Sequence, residues 1–389
     1  VTSESRVEDP LPATNVVAGL PVRLPATARG DLPEAVRLPL PAGFGENAKG
    51  GLWATGTAFV EGNARRYRFG ASTSVPAART TPLPNPSLDA VLANAPFLEL
   101  DAEVGFLRVR PGVWSVQEPL VLPAQTGLRA GAGTTLRFAP EASLVVRGPL
   151  DLIGTAAQPV VLEPLGDPSN GATWRGVVVL GAPRESHWRH VEVRATDSFR
   201  LGDWNLTGGV TFYESDVLLE TSRFIGHRGE DALNVIRSRV VMIDPLFQDT
   251  ASDAVEGDGV DVSGSQLAVT STAFRNIRDK AISVGEGSQV AVEGVLVEKS
   301  GTGVASKDRS TATVRDSTFR GIEHVALMAY VKKPEYGSAS LVADRVTSDG
   351  DPKRLALAQT GSHVVIDGQP LPESDFDADR VYSEGYMRK

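Results

Sequence analysis

The sequence predicts a right-handed parallel β-helix, and three observations carry that expectation. Composition comes first: 39 glycines, 26 prolines and only 6% aromatic residues among 389 describe many short strands joined by turns. Second, from about residue 105 the chain runs as strands of four to six residues between Gly, Ser, Asn and Asp, with no helical segment in each repeat. Third, two columns keep one variable period. Phe224, Phe247, Phe274, Val297 and Phe319 step by 23, 27, 23 and 22, and Ser215, Ser238, Ser265, Ser288 and Ser310 step by the same numbers. A period near 22 made of strands fits one coil of a solenoid whose coils stack about 4.8 Å apart. A leucine-rich repeat would need its Leu-x-x-Leu-x-Leu framework, which is absent, and a sandwich has no reason to keep equal columns.

The elements follow in chain order. Residues 1–85 are rich in Pro, Ala and Arg; "LWATGTAFVEG" and "ARRYRFGAS" read as strands of a small β region before the linker "STSVPAARTTPLPNP". Residues 86–372 are assigned to the β-helix. It opens on "SLDAVLANAPFLELD", where Ser87 is placed to cap a short helix that blunts the first coil. The step of 27 places an insertion near "DAVEG" (253–257). Residues 373–389 read as a second capping helix with Ser374 at its N-terminus.

Composition also bounds function. A formal charge of −9 gives no electrostatic reason to expect nucleic acid or an anionic membrane. With no cysteine, disulfides, thiolate metal sites and cysteine nucleophiles are excluded. No apolar run is long enough to span a membrane as a helix. The start at Val1, with neither an initiator Met nor a signal-peptide apolar core, is expected to mark a processed or excised product whose targeting segment, if any, is missing.

Four successive phrases hold the chemistry: "GEDALNVIRS", "GDGVDVSGS", "RDKAISVGEGS" and "GTGVASKDRS". Strand alternation turns Leu233, Val235, Val260, Val262, Ile282 and Val284 into the coil and Asn234, Asp261 and Ser283 outward as a ladder. Asp231, Asp258 and Lys280 precede that ladder; Glu286, Lys307 and Asp308 follow it, so distant residues converge on one solvent-facing strip. Asp231, Asp258, Asp261, Lys280, Glu286, Lys307 and Asp308 are the candidate catalytic residues, since paired carboxylates serve glycoside hydrolysis. A lysine such as Lys280 would serve β-elimination only with a lowered pKa, and acids surround it. Asn234, Ser283, Tyr330, Lys332 and Lys333 are candidate substrate-binding residues, the last three from the aromatic and basic stretch "AYVKKPEYG". Asp231, Asp258 and Asp261 would supply oxygen ligands to Ca²⁺. Against all this stands a plainer role: Asp, Asn and Ser at coil turns often satisfy local backbone donors.

Weaker features have structural readings. His187 and His190 stand three apart, a spacing that turns them to opposite faces of a strand; Trp188 suits a core position, and "NLT" (205–207) is a sequon by pattern. There is no Walker loop, nucleophile elbow or HExxH.

The coil pattern resembles the pectin lyase-like superfamily of right-handed parallel β-helices. More narrowly, "GGVTFYESDVLLETSRF", "GEDALNVIRS", "DTASDAVEGDGVDVSGS", "DKAISVGEGS", "ASKDRS" and "ALMAYVKKPEYG" resemble bacterial β-helix regions attached to, or near, CotH-type kinase modules. The resemblance covers roughly 105–389. It implies the fold and an exported, envelope-associated bacterial setting, and it brings no reaction. The Asp-Pro-His-Asp of uronate epimerases and the aspartates and Arg-Ile-Lys of polygalacturonases are not recognisable, and "IGHRG" (225–229) lacks the usual Gly-His-Gly context. The expectation is therefore a lyase or hydrolase of an acidic polysaccharide acting through the strip; the alternative is a non-catalytic envelope module binding glycan or protein with the same side.

Overall fold

Short strands whose inner faces are aliphatic bury those faces by coiling, and each coil then satisfies its backbone on the coils above and below. The computed structural model describes residues 83–250, 257–350 and 354–377 in full, and the backbone of 52–60 and 63–71. The chain divides into two units, 1–81 and 82–389. In the first, Leu52–Val60 and Asn63–Ala71 form an antiparallel hairpin, the two strands expected there.

The second unit is the expected parallel β-helix, of about 11 turns. Its three faces are sheets of 13, 10 and 11 strands, parallel except where Leu98–Leu100 and Gln369–Pro370 pair antiparallel at the ends of the first. The aromatic column is continuous. Phe224, Phe247, Phe274, Val297 and Phe319 lie in register on successive coils of the 10-stranded sheet. Their buried rings stack with centroids 4.6 Å (Phe224–Phe247) and 5.0 Å (Phe247–Phe274) apart, the strand spacing itself.

The serine column closes a corner. Ser238 Oγ accepts from the Ser215 amide at 2.8 Å, Ser265 Oγ from the Ser238 amide at 2.9 Å, and Ser288 Oγ from the Ser265 amide at 3.0 Å. Each hydroxyl also donates to a carbonyl of its own coil, as from Ser238 to Ile236 at 2.8 Å. A neighbouring corner is made by left-handed residues. Thr221 (φ 47°), Asp244 (φ 57°), Ser271 (φ 51°) and Asp316 (φ 50°) each follow a strand of the 13-stranded sheet, with Gly294 (φ 63°) in the same place. Their amides bond the strand end of the next coil, as Thr221 N–H to Ile243 O at 2.9 Å.

The first coil is blunted as expected. Helix Leu88–Asn94 is capped by Ser87, whose hydroxyl accepts from the Ala90 amide at 3.2 Å, and Val91 enters the core. The last coils differ from expectation. Glu373–Ser374 is a strand paired with Ala358–Gln359, so Ser374 caps no helix; Asp375–Asp377 are not helical either, and residues from 378 lie outside the described ones. The strand wins because Gln359 holds this segment to the stack through its amide, which donates to Phe376 O at 2.9 Å. The insertion near 253–257 falls almost wholly on 251–256, also outside the described residues.

A candidate acid–base site on the 11-stranded sheet

The strip is built by register. Thr211, Asn234, Asp261 and Ser283 are successive partners on strands Gly208–Tyr213, Asp231–Ile236, Asp258–Ser263 and Lys280–Gly285. Asp231 pairs with Asp258, and the Lys280 amide donates to Asp258 Oδ1 at 3.0 Å, which sets these three on adjacent coils. The expected ladder therefore exists, but its expected exposure does not. Asp231 and Lys280 are each 3% exposed, and Asn234, Asp258, Ser283 and Asp308 are buried as well. Solvent reaches Asp261 and Lys307, whose side chains are 19% and 12% exposed. Alternation tells which side of a strand a residue takes, not what lies over that side.

Within the strip charges are paired. Lys280 Nζ lies 3.3 Å from Asp258 Oδ1 and also bonds Asp279 Oδ2. Lys307 Nζ donates to Ser283 Oγ at 2.8 Å and stands 3.6 Å from Asp261 Oδ1. Asn234 Nδ2 donates to Asp231 Oδ2 at 2.9 Å and to Thr207 Oγ1 at 2.7 Å, while its Oδ1 is buried without a hydrogen-bond partner. Breaking such buried pairs costs about 3–5 kcal/mol, because a charge is then left alone in a dry site.

These surroundings drive the carboxyl groups apart. Burial pushes Asp258 up to about 7; Lys280 opposes it, while Asp279 and Asp261 add to it. Burial also raises Asp231 well above the usual carboxylate range, with the charges of Asp261 and Asp258 in the same direction. For Asp261, burial works upward too, but Lys307, the Ser283 hydrogen bond and Lys280 outweigh it and hold the group below 3.8. Asp279 is likewise held down against burial, chiefly by Lys280. Lys307 is raised: burial works against its charge and Asp261 more than compensates. Near neutral pH Asp258 is thus divided between its acid and carboxylate forms, beside Asp261 as a carboxylate. A lysine that stays protonated is no base for β-elimination, so Lys307 does not fit that role.

The remaining expected residues fall around the strip. Glu286 (φ 59°) and Asp308 (φ 57°) are corner residues. Asp308 Oδ1 accepts from the amides of Lys332 and Lys333 at 2.7 and 2.6 Å, and Lys333 Nζ bonds Glu286. Asp308 thus anchors the segment after Tyr330; burial raises its pKa. Tyr330 is not in an exposed loop. It ends strand Val325–Tyr330, partners Lys307 in register, and is buried with Ala305, Val325 and Met328. Its apolar strand-mates Leu327 and Ala329 carry the β-pattern through to it.

Among the described residues, no group of three or more His, Asp and Glu side chains is gathered so as to hold a metal ion. Asp258 and Asp261 are engaged with lysines instead. His187 is exposed and 3.2 Å from Glu185, His190 (φ 50°) is a corner residue, and Trp188 is core, as their spacing indicated.

Three participants escaped the sequence reading. Asp279 stood directly before Lys280. Thr207 was visible only as the third letter of a sequon. Thr211 sits in the slot of Asn234 once "GGVTFYES" is aligned with "DALNVIRS". His227 is buried beside the same strands, with Nδ1 2.6 Å from Thr196 Oγ1; burial lowers its pKa to about 3, so it is neutral. A separate depression, lined by Arg108, Arg129, Asp151 and His187, opens on the 13-stranded sheet. Arg129 there is already bound by Asp101, Glu103 and Asp151.

No family model and no curated protein matches the chain. Among solved structures, it is similar to an alginate lyase from Paenibacillus sp. str. FPU-7 at 13% identity and TM-score 0.34, over 64% of this chain and 90% of that one. It is also similar to the catalytic unit of a thermostable GH87 alpha-1,3-glucanase from Streptomyces thermodiastaticus strain HF3-3. There the identity is 11% and the TM-score 0.22, over 69% of this chain and 64% of that one. At these similarities neither neighbour's reaction transfers to this chain.

Proposed function

We propose that the protein hydrolyses a polysaccharide, with Asp258 as general acid and Asp261 as general base. The observation that carries this reading is the pair itself: two aspartates three apart on strand Asp258–Ser263, one raised to about 7 and one held below 3.8, in a site that solvent enters at Asp261. Carboxyl groups whose environments push them apart are how one site supplies acid and base together. Asp258 would give its proton to the glycosidic oxygen as the bond to the anomeric carbon breaks. Asp261 would take a proton from the water whose hydroxide adds to that carbon.

The positive charges of Lys307 and Lys332 both bear on Asp261 at the solvent side of the strip, which is the ground for an acidic glycan as substrate; Lys333 is already paired with Glu286. Ca²⁺ at Asp231, Asp258 and Asp261 would be an alternative to this proposal and not part of it, because Asp258 cannot hold a proton for the glycosidic oxygen and ligate the ion at once. The exported, envelope-associated setting and a neighbouring CotH-type module rest on the sequence phrases alone.

The second reading, a non-catalytic glycan-binding module, is favoured by one feature: most of the strip is buried and internally paired. Asp258→Asn and Asp261→Asn separate the two readings. Each should lower cleavage by about a hundredfold or more and leave retention on the same glycan intact; retention with no cleavage in the unaltered protein supports the module.

A further inference from the structure

The strip is closed at both ends along the helix axis. In the outward column that contains it, Val121, Val145 and Val178 precede Thr211, and Ala305, Met328 and Leu357 follow Ser283. The lower apolar rungs are covered by an inserted hairpin, Phe199–Leu201 with Trp204–Leu206; Phe199 is fully buried on Val145 and Val178. The upper rungs lie under Tyr330 and Phe376. Between them the polar rungs from Thr211 to Ser283 span roughly 14 Å at one strand spacing per coil, and solvent reaches them at Asp261.

The lower end has the chemistry of a terminus site. Asn234 Oδ1 and Thr211 Oγ1 are buried without partners; the first is an acceptor in want of a donor, and the second can accept or donate. Gly208 packs closely against them: a Cβ there would lie 2.6 Å from Thr211 Oγ1 and 2.7 Å from Asn234 Cβ, so no larger residue fits. Thr207, at the root of the hairpin, holds Asn234 at 2.7 Å and covers it.

Resting on the hydrolase reading, we propose that this strip takes the terminus of a glycan rather than its interior. The terminal sugar lies toward Asn234 and Thr211 with the hairpin as the stop, the scissile linkage lies at Asp258 and Asp261, and the next residue lies toward Lys307. A terminal sugar keeps a hydroxyl that an interior residue has committed to a linkage, and that hydroxyl donates to Asn234 Oδ1. Entry requires the Thr207 hydroxyl to turn away from Asn234.

The test uses the unaltered protein on oligosaccharides of whichever glycan it cleaves in a panel of polygalacturonate, alginate and neutral glucans. Each is offered free, methylated at the non-reducing terminus, or reduced at the other end. Blocking one terminus should cost about tenfold or more in kcat/KM, with one small product released from the first turnovers. Equal cleavage of free and blocked chains, or an early collapse of viscosity, would overturn terminus recognition while leaving hydrolysis standing; cleavage of no glycan would overturn hydrolysis as well. Thr211→Val, which keeps the side-chain shape, should raise KM with kcat little changed and melting temperature held; an unchanged KM would count against the subsite.

Discussion

At the scale of single residues, the strip shows how far a side chain's chemistry depends on its cover. Asp258 and Asp261 stand three apart on one strand, yet one is raised to about 7 and the other held below 3.8. The difference lies in their company: Lys307, the Ser283 hydrogen bond and Lys280 all favour the Asp261 carboxylate, whereas Asp258 shares Lys280 with Asp279 and meets the charges of Asp279 and Asp261. Two expectations follow for pH. Activity should decline above about pH 7 as Asp258 loses its proton, read from a pH profile of kcat/KM. Stability should follow the same group. Its folded pKa lies above the unfolded value of 3.8, so its contribution is complete below 3.8 and lost as pH rises through about 7. Asp261 works in the opposite sense: held low, it contributes above 3.8 and loses that contribution as acid is added. His227, lowered to about 3, opposes this slope below 6.5 and Asp231 adds to it, so the Asp258 effect is read as a difference: relative to the unaltered protein, Asp258→Asn should gain melting temperature as pH rises from about 4 to 7. Lys280→Ala should destabilise by about 3–5 kcal/mol in denaturant titration, since it strands Asp258 and Asp279 together. A loss under 1 kcal/mol would mean that the pair is better solvated than its burial indicates. The sequence made the strip's letters and register legible, from Asp231 to Asp308. It could not show that Tyr330 ends a buried strand or that Thr207 meets Asn234, because both depend on contacts across more than one coil.

At the scale of elements, the columns that announced the fold are also what holds it. The phenylalanine ladder fills the coil interior at the strand spacing, so Phe247→Ala, between two stacked neighbours, should cost about 3–5 kcal/mol. The serine ladder satisfies one corner amide per coil, and removing a hydroxyl leaves a buried N–H behind. Ser265→Ala strands the Ser238 amide and should cost about 1–3 kcal/mol. The opposite sign is expected at Thr221. Its exposed β-branched side chain sits at φ 47°, so Thr221→Gly should stabilise by up to about 1 kcal/mol, seen as a higher melting temperature. Both interior columns were readable because they repeat; a feature that recurs on every coil leaves a period in the sequence. The hairpin Phe199–Leu206 recurs nowhere, so nothing in the periodicity signalled it, and the terminal strand Glu373–Ser374 was read as helix for the same reason.

At the scale of the whole solenoid, the architecture converts sequence distance into stacking. Asn234, Asp261 and Ser283 meet because three coils share one register, and any insertion that respected the register would leave them together. The coil rhythm alone was enough for the fold. Function was less legible, since it turns on what covers the sheet's outer face: apolar rungs under the hairpin and under Phe376, polar rungs between them. Those covers decide that solvent meets Asp261 and Lys307 and not the whole ladder. The central claim is that Asp258 and Asp261 work as acid and base on a glycan. It is tested most directly by incubating the protein, Asp258→Asn and Asp261→Asn with acidic and neutral polysaccharides, with and without Ca²⁺, and weighing the products by mass spectrometry. The account predicts shortened products that have gained water, made by the unaltered protein and lost in both variants. Unsaturated products, or cleavage that survives both substitutions, would contradict it.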